Sequence, residues 1–270
     1  VEGEEFKIKS KVPIIKAETI SQKETTFKDP KILAFDIETY SPAKGRILSK
    51  QNPIIMLGFY GKDFKKVFTW KRFRTKEKYI EFVSSEKELI LKFKETIEKY
   101  KPDVLAGYFS DGFDLPYIKQ RADKYKIKLD VGLDYSEFHT KKGRRQQTAL
   151  TGIVHFDVFE FISRIFARTL EIDNYDLSSV SHELLGEKKK DVDIAQLVDV
   201  WDKNPEKLGK FCEYNLHDAY LAFKLCEKVF PNASELVKIA GLPLFDVTRI
   251  GFSHLVEWYL VKQSSHFNEL

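Results

Sequence analysis

The sequence predicts an α/β protein on a mixed sheet, and three observations carry that expectation. Short apolar runs bounded by turn residues recur between residues 32 and 108. Helical periodicity interrupts them from Ser85 and again from 113. From Leu177 onward the pattern is almost entirely helical. Strands, a helix, a strand and a further helix in succession describe layers packed on one sheet.

Taken in order, residues 1–30 are polar and Lys-rich, with one alternating stretch around Ile14 and Ile15. They read as an extended arm or edge strand. Residues 32–37 form the first buried strand, and 54–60 and 67–70 the next two. Loops with Gly45, Pro53 and Gly61 separate them, as expected of antiparallel neighbours. Leu89, Phe93 and Ile97 mark one face of a helix capped by Ser84 or Ser85, with Glu88 in the capping-box position and Pro102 ending it. A strand at 104–108 leads into a helix at 113–125 with Pro116 in its first turn. Residues 134–152 read as an exposed basic hairpin, and 153–161 return to apolar alternation. Helices are expected at about 205–229 and 247–262.

Composition narrows the function. Hydrophobic residues make up 43% and charged residues 32%, which fits a water-soluble globular chain. With 45 Lys and Arg against 41 Asp and Glu, the net charge is only +4, so any nucleic-acid partner must be met by a local surface. Cys212 and Cys226 match no zinc spacing and read as buried small hydrophobes in a reducing compartment. No apolar run is long enough to span a membrane, and no signal peptide is visible. Glycine loops for dinucleotides or nucleoside triphosphates are absent from the sequence. Few Met and Cys beside many Lys and Glu suit a heat-adapted source.

The acids stand out next. Asp36 and Glu38 end the first strand two residues apart, so both face one side of the sheet. Two acids on one face of an apolar strand are costly unless a cation neutralises them, though a bare D-x-E is equally a solvated strand end. Tyr214 and Asp218 share a helical face at i, i+4, which also fits a local hydrogen bond. In Y-F-S-D-G-F-D-L-P, from 108 to 116, Asp114 opens a helix; it or Asp111 would serve equally as a cap.

Together, D-I-E at 36–38, F-D at 113–114 and Y-x-x-x-D at 214–218 resemble the three exonuclease motifs of archaeal-type family B DNA polymerases. The texts GYFSDGFDLPYI, GIVHFDVF and YNLHDAYLAFKL resemble that family too. GLPLFDVTRIGFSHLVEWYL, at 241–260, is similar to its bridge from exonuclease to polymerase palm. The resemblance covers residues 31–270. It implies a ribonuclease H-like exonuclease fold with a mixed five-stranded sheet, then C-terminal helices leading toward a palm. The implied division is an N-terminal arm or remnant at 1–30, a 3′–5′ exonuclease domain at 31–235 and a helical bridge at 236–270.

By resemblance, Asp36, Glu38, Asp114 and Asp218 hold two divalent ions, Mg²⁺ or Mn²⁺, and Tyr214 positions the attacking water. Such a set suits proofreading hydrolysis of the 3′-terminal phosphodiester, with the ions ~4 Å apart, one at the water and one at the leaving 3′ oxygen. Carboxylate oxygens are fitting ligands for Mg²⁺. Lys141, Lys142, Arg144 and Arg145 are candidates for phosphate contacts, and Thr39, Phe109, Ser110 and Phe113 for contacts with the strand. A solvated loop is the plainer reading of the basic segment, and Lys188, Lys189 and Lys190 read as solvent-facing. Many relatives carry Asn where this chain has Phe109, and another Asn in place of Gly112, which bears on how the strand is held.

The implied partners are DNA, as a single strand or frayed primer 3′ end, the rest of a polymerase (palm, fingers and thumb) and, through other regions, a sliding clamp. The implied place is a prokaryotic cytoplasm, at the nucleoid. The palm's own pair of aspartates has no counterpart in these residues, so this polypeptide alone is not expected to synthesise DNA. Beginning at Val1 with a short N-terminal remnant, it is expected to be an excised fragment or the product of a split polymerase. The alternatives are a catalytically silent exonuclease-fold module and a stand-alone 3′–5′ exonuclease.

Overall fold

In a computed structural model, residues 2–19, 29–41, 47–141, 146–167, 169–188, 190 and 192–267 are described. Gly45, Lys142, Arg144, Arg145 and Lys189 lie outside these. The N-terminal arm is a two-stranded antiparallel ribbon, β1 (Glu2–Glu5) with β2 (Ile15–Thr19). Lys11 ties the arm to the body, its backbone N–H donating to Leu133 O at 2.7 Å and its Nζ to Glu98 at 3.0 Å.

The main sheet begins with β3 (Ile32–Thr39), β4 (Ile54–Gly61) and β5 (Phe64–Thr69), which are antiparallel neighbours. A three-residue strand, β6 (Ile80–Phe82), adds parallel to β5. Helix α1 (Glu86–Tyr100) follows, then β7 (Val104–Gly107), α2 (Asp114–Lys124), the hairpin β8 (His139–Lys141) and β9 (Gln147–Ala149), and β10 (Val154–Asp157). Strand order is β10-β7-β3-β4-β5-β6, with β10, β7 and β3 mutually parallel. The sheet is mixed as expected but has six strands, not five. β6 is too short to show a periodicity, and it forms because Ile80 is buried against β5.

Alternation along β3 sets the layers. Leu33, Phe35 and Ile37 point into a core with α1 and α2, where Phe35 meets Phe93 edge-on at 5.5 Å. Ile32 and Ala34 point to the other face. That face is covered by α3 (Val158–Ile165), α4 (Leu177–Leu185), α5 (Leu197–Lys203) and the 32-residue α6 (Gly209–Ala240). Cys212 and Cys226 are buried there with their thiols reduced, and burial pushes the Cys212 thiol up to about 12. Among the described residues no helix is long and apolar enough to cross a membrane.

Local signals place most boundaries. Ser85 Oγ accepts from Glu88 N at 3.4 Å, while the Glu88 carboxylate returns to Ser84 N at 2.6 Å, one residue earlier than a capping box requires. Lys101 closes α1 in the left-handed region ahead of Pro102. Two helix limits differ from the expectation. Pro205 starts a separate 3₁₀ turn, and α6 runs through Pro231 to Ala240 instead of ending at 229. Phe230 and Ala233, buried on either side of the proline, keep the helix docked there. The last expected helix divides into α7 (Leu244–Val247) and α8 (Phe252–Phe267). Helix α6 is continuous across residues 235 and 236.

Candidate metal centre at the end of strand β3

Period two gives Asp36 and Glu38 the parity of Ile32 and Ala34, so their carboxylates point at α6. There they meet Asp218. One carboxylate oxygen from each of Asp36, Glu38 and Asp218 lies within 4.8 Å of the others, with Asp218 buried and the two strand acids half-buried. Tyr214, one turn before Asp218, is also buried and lines a cavity with Ser178, His182, Lys188 and Lys190. Lys188 and Lys190 are exposed as expected at the edge of this cavity, and Lys190 pairs with Glu213.

Asp114 stands outside this three-acid group. It is buried in the first turn of α2, and its Oδ1 accepts from Ile37 N at 3.3 Å. Pairing of β3 with β7 stops at Ala34, so the backbone of Ile37 has parted from that neighbour and takes the carboxylate instead. Burial pushes the Asp114 carboxyl up to about 7, with the charges of Asp157 and Asp218 adding to the rise. Asp157 is likewise pushed up to about 6, chiefly by burial.

Three residues of the site receive no role from the sequence. Asn215 Nδ2 donates to Asp36 Oδ2 at 2.7 Å and fixes that acid against α6. Gly58 lies directly opposite Asp36 in β4, where a Cβ would meet Asn215 Oδ1 at 2.6 Å and its carbonyl oxygen at 3.0 Å. Glycine is what lets α6 approach the acids. Asp157 caps α3 and receives three backbone N–H groups, from Phe109 at 3.1 Å, Asp111 at 2.8 Å and Glu160 at 3.2 Å. Glycine inside a strand and asparagine inside an apolar helix were the available signals.

Of the strand-contact candidates, Phe109 is 46% exposed with φ +60°, its ring edge-on to Phe159 at 5.2 Å. A Cβ on Gly112 would lie 2.4 Å from that ring. In this chain the Phe109 ring occupies the space that a side chain at 112 would enter. Ser110 is fully buried, with Oγ 2.8 Å from His155 Nε2. Thr39 is buried at the end of β3, and Phe113 is half-buried against Tyr117. Lys141 is exposed at the end of β8. Asp111 does not cap α2; its Oδ2 accepts from Arg249 Nε at 2.8 Å.

The donor set fits a divalent cation. It consists of oxygens only, drawn together from a strand and a helix, which are the hard ligands such an ion takes. Cation binding should therefore depend on pH. In the metal-free chain the folded state keeps a proton on Asp114 that the unfolded state releases near its ordinary pKa of 3.8, so stability falls as pH rises from there through about 7. Asp157 acts in the same direction up to about 6. The expected result is a melting temperature that Mn²⁺ raises by several degrees at roughly pH 8 and much less at roughly pH 5. Thermal melts with Mn²⁺ or EDTA check this, and a larger gain at the lower pH would contradict it.

Sheet and site together define an α/β domain whose strand and helix acids form a centre able to coordinate divalent metal ions. The chain belongs to the family B DNA polymerases: residues 3–180 match the model described as DNA polymerase family B, exonuclease domain. It is 36% identical over 241 residues to a DNA polymerase of Pyrococcus glycovorans, covering 89% of this chain and 30% of that one. It is 35% identical over 239 residues to DNA polymerase 1 of Pyrococcus abyssi, covering 88% and 30%. The chain thus spans 30% of the length of each of these relatives. The fold matches the structure of the family B DNA polymerase from Pyrobaculum calidifontis with a TM-score of 0.82 at 23% identity, over 98% of this chain and 33% of that one.

Proposed function

We propose that this chain is the 3′–5′ proofreading exonuclease portion of a family B DNA polymerase, hydrolysing the 3′-terminal phosphodiester of a single or frayed DNA strand. The observation that carries this is the convergence of Asp36, Glu38 and Asp218 within 4.8 Å, beside Asp114. Asp36, Glu38, Asp114 and Asp218 would hold two ions, Mg²⁺ or Mn²⁺. Bound there, the ions supply charge neutralisation and electrostatic stabilisation of an in-line displacement at phosphorus.

The protein's own groups do the rest. Asn215 orients Asp36, and Tyr214 is assigned to hold the attacking water in line with the scissile bond. Phe109 offers an exposed aromatic face to an unpaired base, and Lys141 a charge to the phosphate backbone. Lys142, Arg144 and Arg145 share that assignment from outside the described residues. The nuclease unit is assigned to residues 31–235, with 236–270 as a bridge toward the palm, fingers and thumb. A sliding clamp is a partner of the whole polymerase in this reading, and its place is the prokaryotic cytoplasm, at the nucleoid.

The test is degradation of a 5′-labelled single strand by the 270-residue chain. A ladder shortening from the 3′ end with Mg²⁺ or Mn²⁺ and abolished by EDTA is expected. A folded chain that leaves the strand intact with either ion would reduce the domain to a silent module.

A further inference from the structure

We infer that Arg249 is a positioning residue for this hydrolysis, holding from the C-terminal segment the loop that delivers Asp114; the inference rests on the function proposed above. Arg249 follows α7 in the region that resembles a bridge, yet its side chain is buried against Asp111 and His155. Its Nε donates to Asp111 Oδ2 at 2.8 Å, and its Nη1 to Thr248 Oγ1 at 2.8 Å, His155 O at 3.0 Å and Phe245 O at 3.2 Å. Nη2 lies 3.0 Å from His155 Nδ1, and the guanidinium rests on the Phe245 ring, 3.8 Å from its centroid. This uses the planar fork of arginine in a way a lysine cannot reproduce.

Of the partner groups, Asp111 belongs to one short loop and His155 to what holds it, while Phe245 and Thr248 brace the guanidinium from its own segment. Asp111 Oδ1 accepts from Thr148 N at 2.6 Å, and Ser110 Oγ is 2.8 Å from His155 Nε2. The backbone N–H groups of Phe109 and Asp111 are fixed by Asp157. Phe109 is held at φ +60°, a conformation that a bulky residue keeps only where its surroundings over-determine it. Ser110 O then accepts from Leu115 N at 3.1 Å, joining the loop to the first turn of α2 and so to Asp114. With Arg249 gone, Asp111 is a buried acid that has lost its permanent cation and keeps only His155 Nδ1, 3.3 Å from Oδ1. The loop then loses its tie to the C-terminal segment, one of the contacts that support the approach of Asp114 to Ile37.

The experiment compares the 270-residue chain with Arg249→Met and with Asp111→Asn/Arg249→Met. Hydrolysis of a 5′-labelled single strand in Mn²⁺ is followed well below each melting temperature, with backbone amide exchange of residues 109–115 measured by mass spectrometry. Arg249→Met should lower kcat by about 10- to 100-fold, the scale of a small misplacement of a catalytic group, with KM changed less than about threefold. Exchange at 109–115 should quicken while that of β3 and β4 stays as it was. The double variant, which leaves no unpaired buried charge, should recover melting temperature but not kcat. Wild-type kcat in a folded Arg249→Met chain, unchanged exchange at 109–115, or recovery of kcat together with melting temperature would each overturn the inference. If the unaltered chain does not hydrolyse the strand, the hydrolytic reading itself falls, and the exchange data alone then decide whether Arg249 holds the loop.

Discussion

Asp218→Asn is expected to slow 3′-end hydrolysis by about a thousandfold. A bound metal stabilises the reaction by several kcal/mol, and each 1.4 kcal/mol lost costs about tenfold in rate. Asparagine keeps the volume and one acceptor oxygen but removes the charge that, with Asp36 and Glu38, makes the centre a cation trap. The same change should leave the metal-free fold as stable as before or slightly more so. It takes one buried anion away from two others. The stabilisation by Mn²⁺ should shrink with it. Rate and melting temperature, measured on the same preparation, thus move in different directions. A variant that loses both activity and fold would point to a structural role for Asp218 instead.

Glu86→Ala is expected to destabilise the chain by about 3–5 kcal/mol, the cost of stranding one partner of a buried ion pair. Glu86 opens α1 as a buried acid against the equally buried Arg121 of α2. Its Oε1 accepts from Arg121 Nε at 2.6 Å and from Ile54 N at 2.8 Å, and its Oε2 from Tyr125 Oη at 2.8 Å. Arg121 in turn donates to the carbonyls of Ser49 and Lys50, at 3.0 and 3.1 Å, and so holds the chain that enters β4. Urea unfolding would give the loss directly. Glu86→Leu/Arg121→Met should recover most of it, since no charge is then left unpaired. A loss below about 1 kcal/mol, the range of exposed pairs, would show the guanidinium finding water instead.

The parts of the molecule that sequence foretold are those governed by local periodicity. Alternation along β3 placed Asp36 and Glu38 on one face, and helical spacing placed Tyr214 above Asp218. That these faces meet follows from burial parity along the strand. What stayed illegible depends on groups far apart in the chain. Asp111 reads locally as a cap for α2, and only the arrival of Arg249, 138 residues later, makes it an ion-pair partner. Glu86 looks like an ordinary first-turn acid, because nothing beside it in sequence announces Arg121. Gly58 sits among apolar strand residues whose signal is burial, so its contact with Asn215 was hidden. Helix α6 passes its expected end at 229 for a different reason. Proline removes one N–H from a helix, but a helix docked along a buried face tolerates the loss and continues.

The length of α6 has a mechanical consequence. At ~1.5 Å per residue, the stretch from Asn215, where the helix touches β4, to Ala240 is an arm of about 37 Å. Asp218 lies only about 4.5 Å along the axis from that contact. If the helix pivots where Gly58 admits it, a displacement of 2 Å or so at the far end turns it through roughly three degrees and moves Asp218 by only about 0.25 Å. The lever is thus strongly geared down toward the acids. Flexing at Pro231, where the ladder lacks a rung, would reduce the transmitted motion further. Loads applied around α7 and α8 can therefore shift that end of the molecule by ångströms while the carboxylate oxygens keep their spacing.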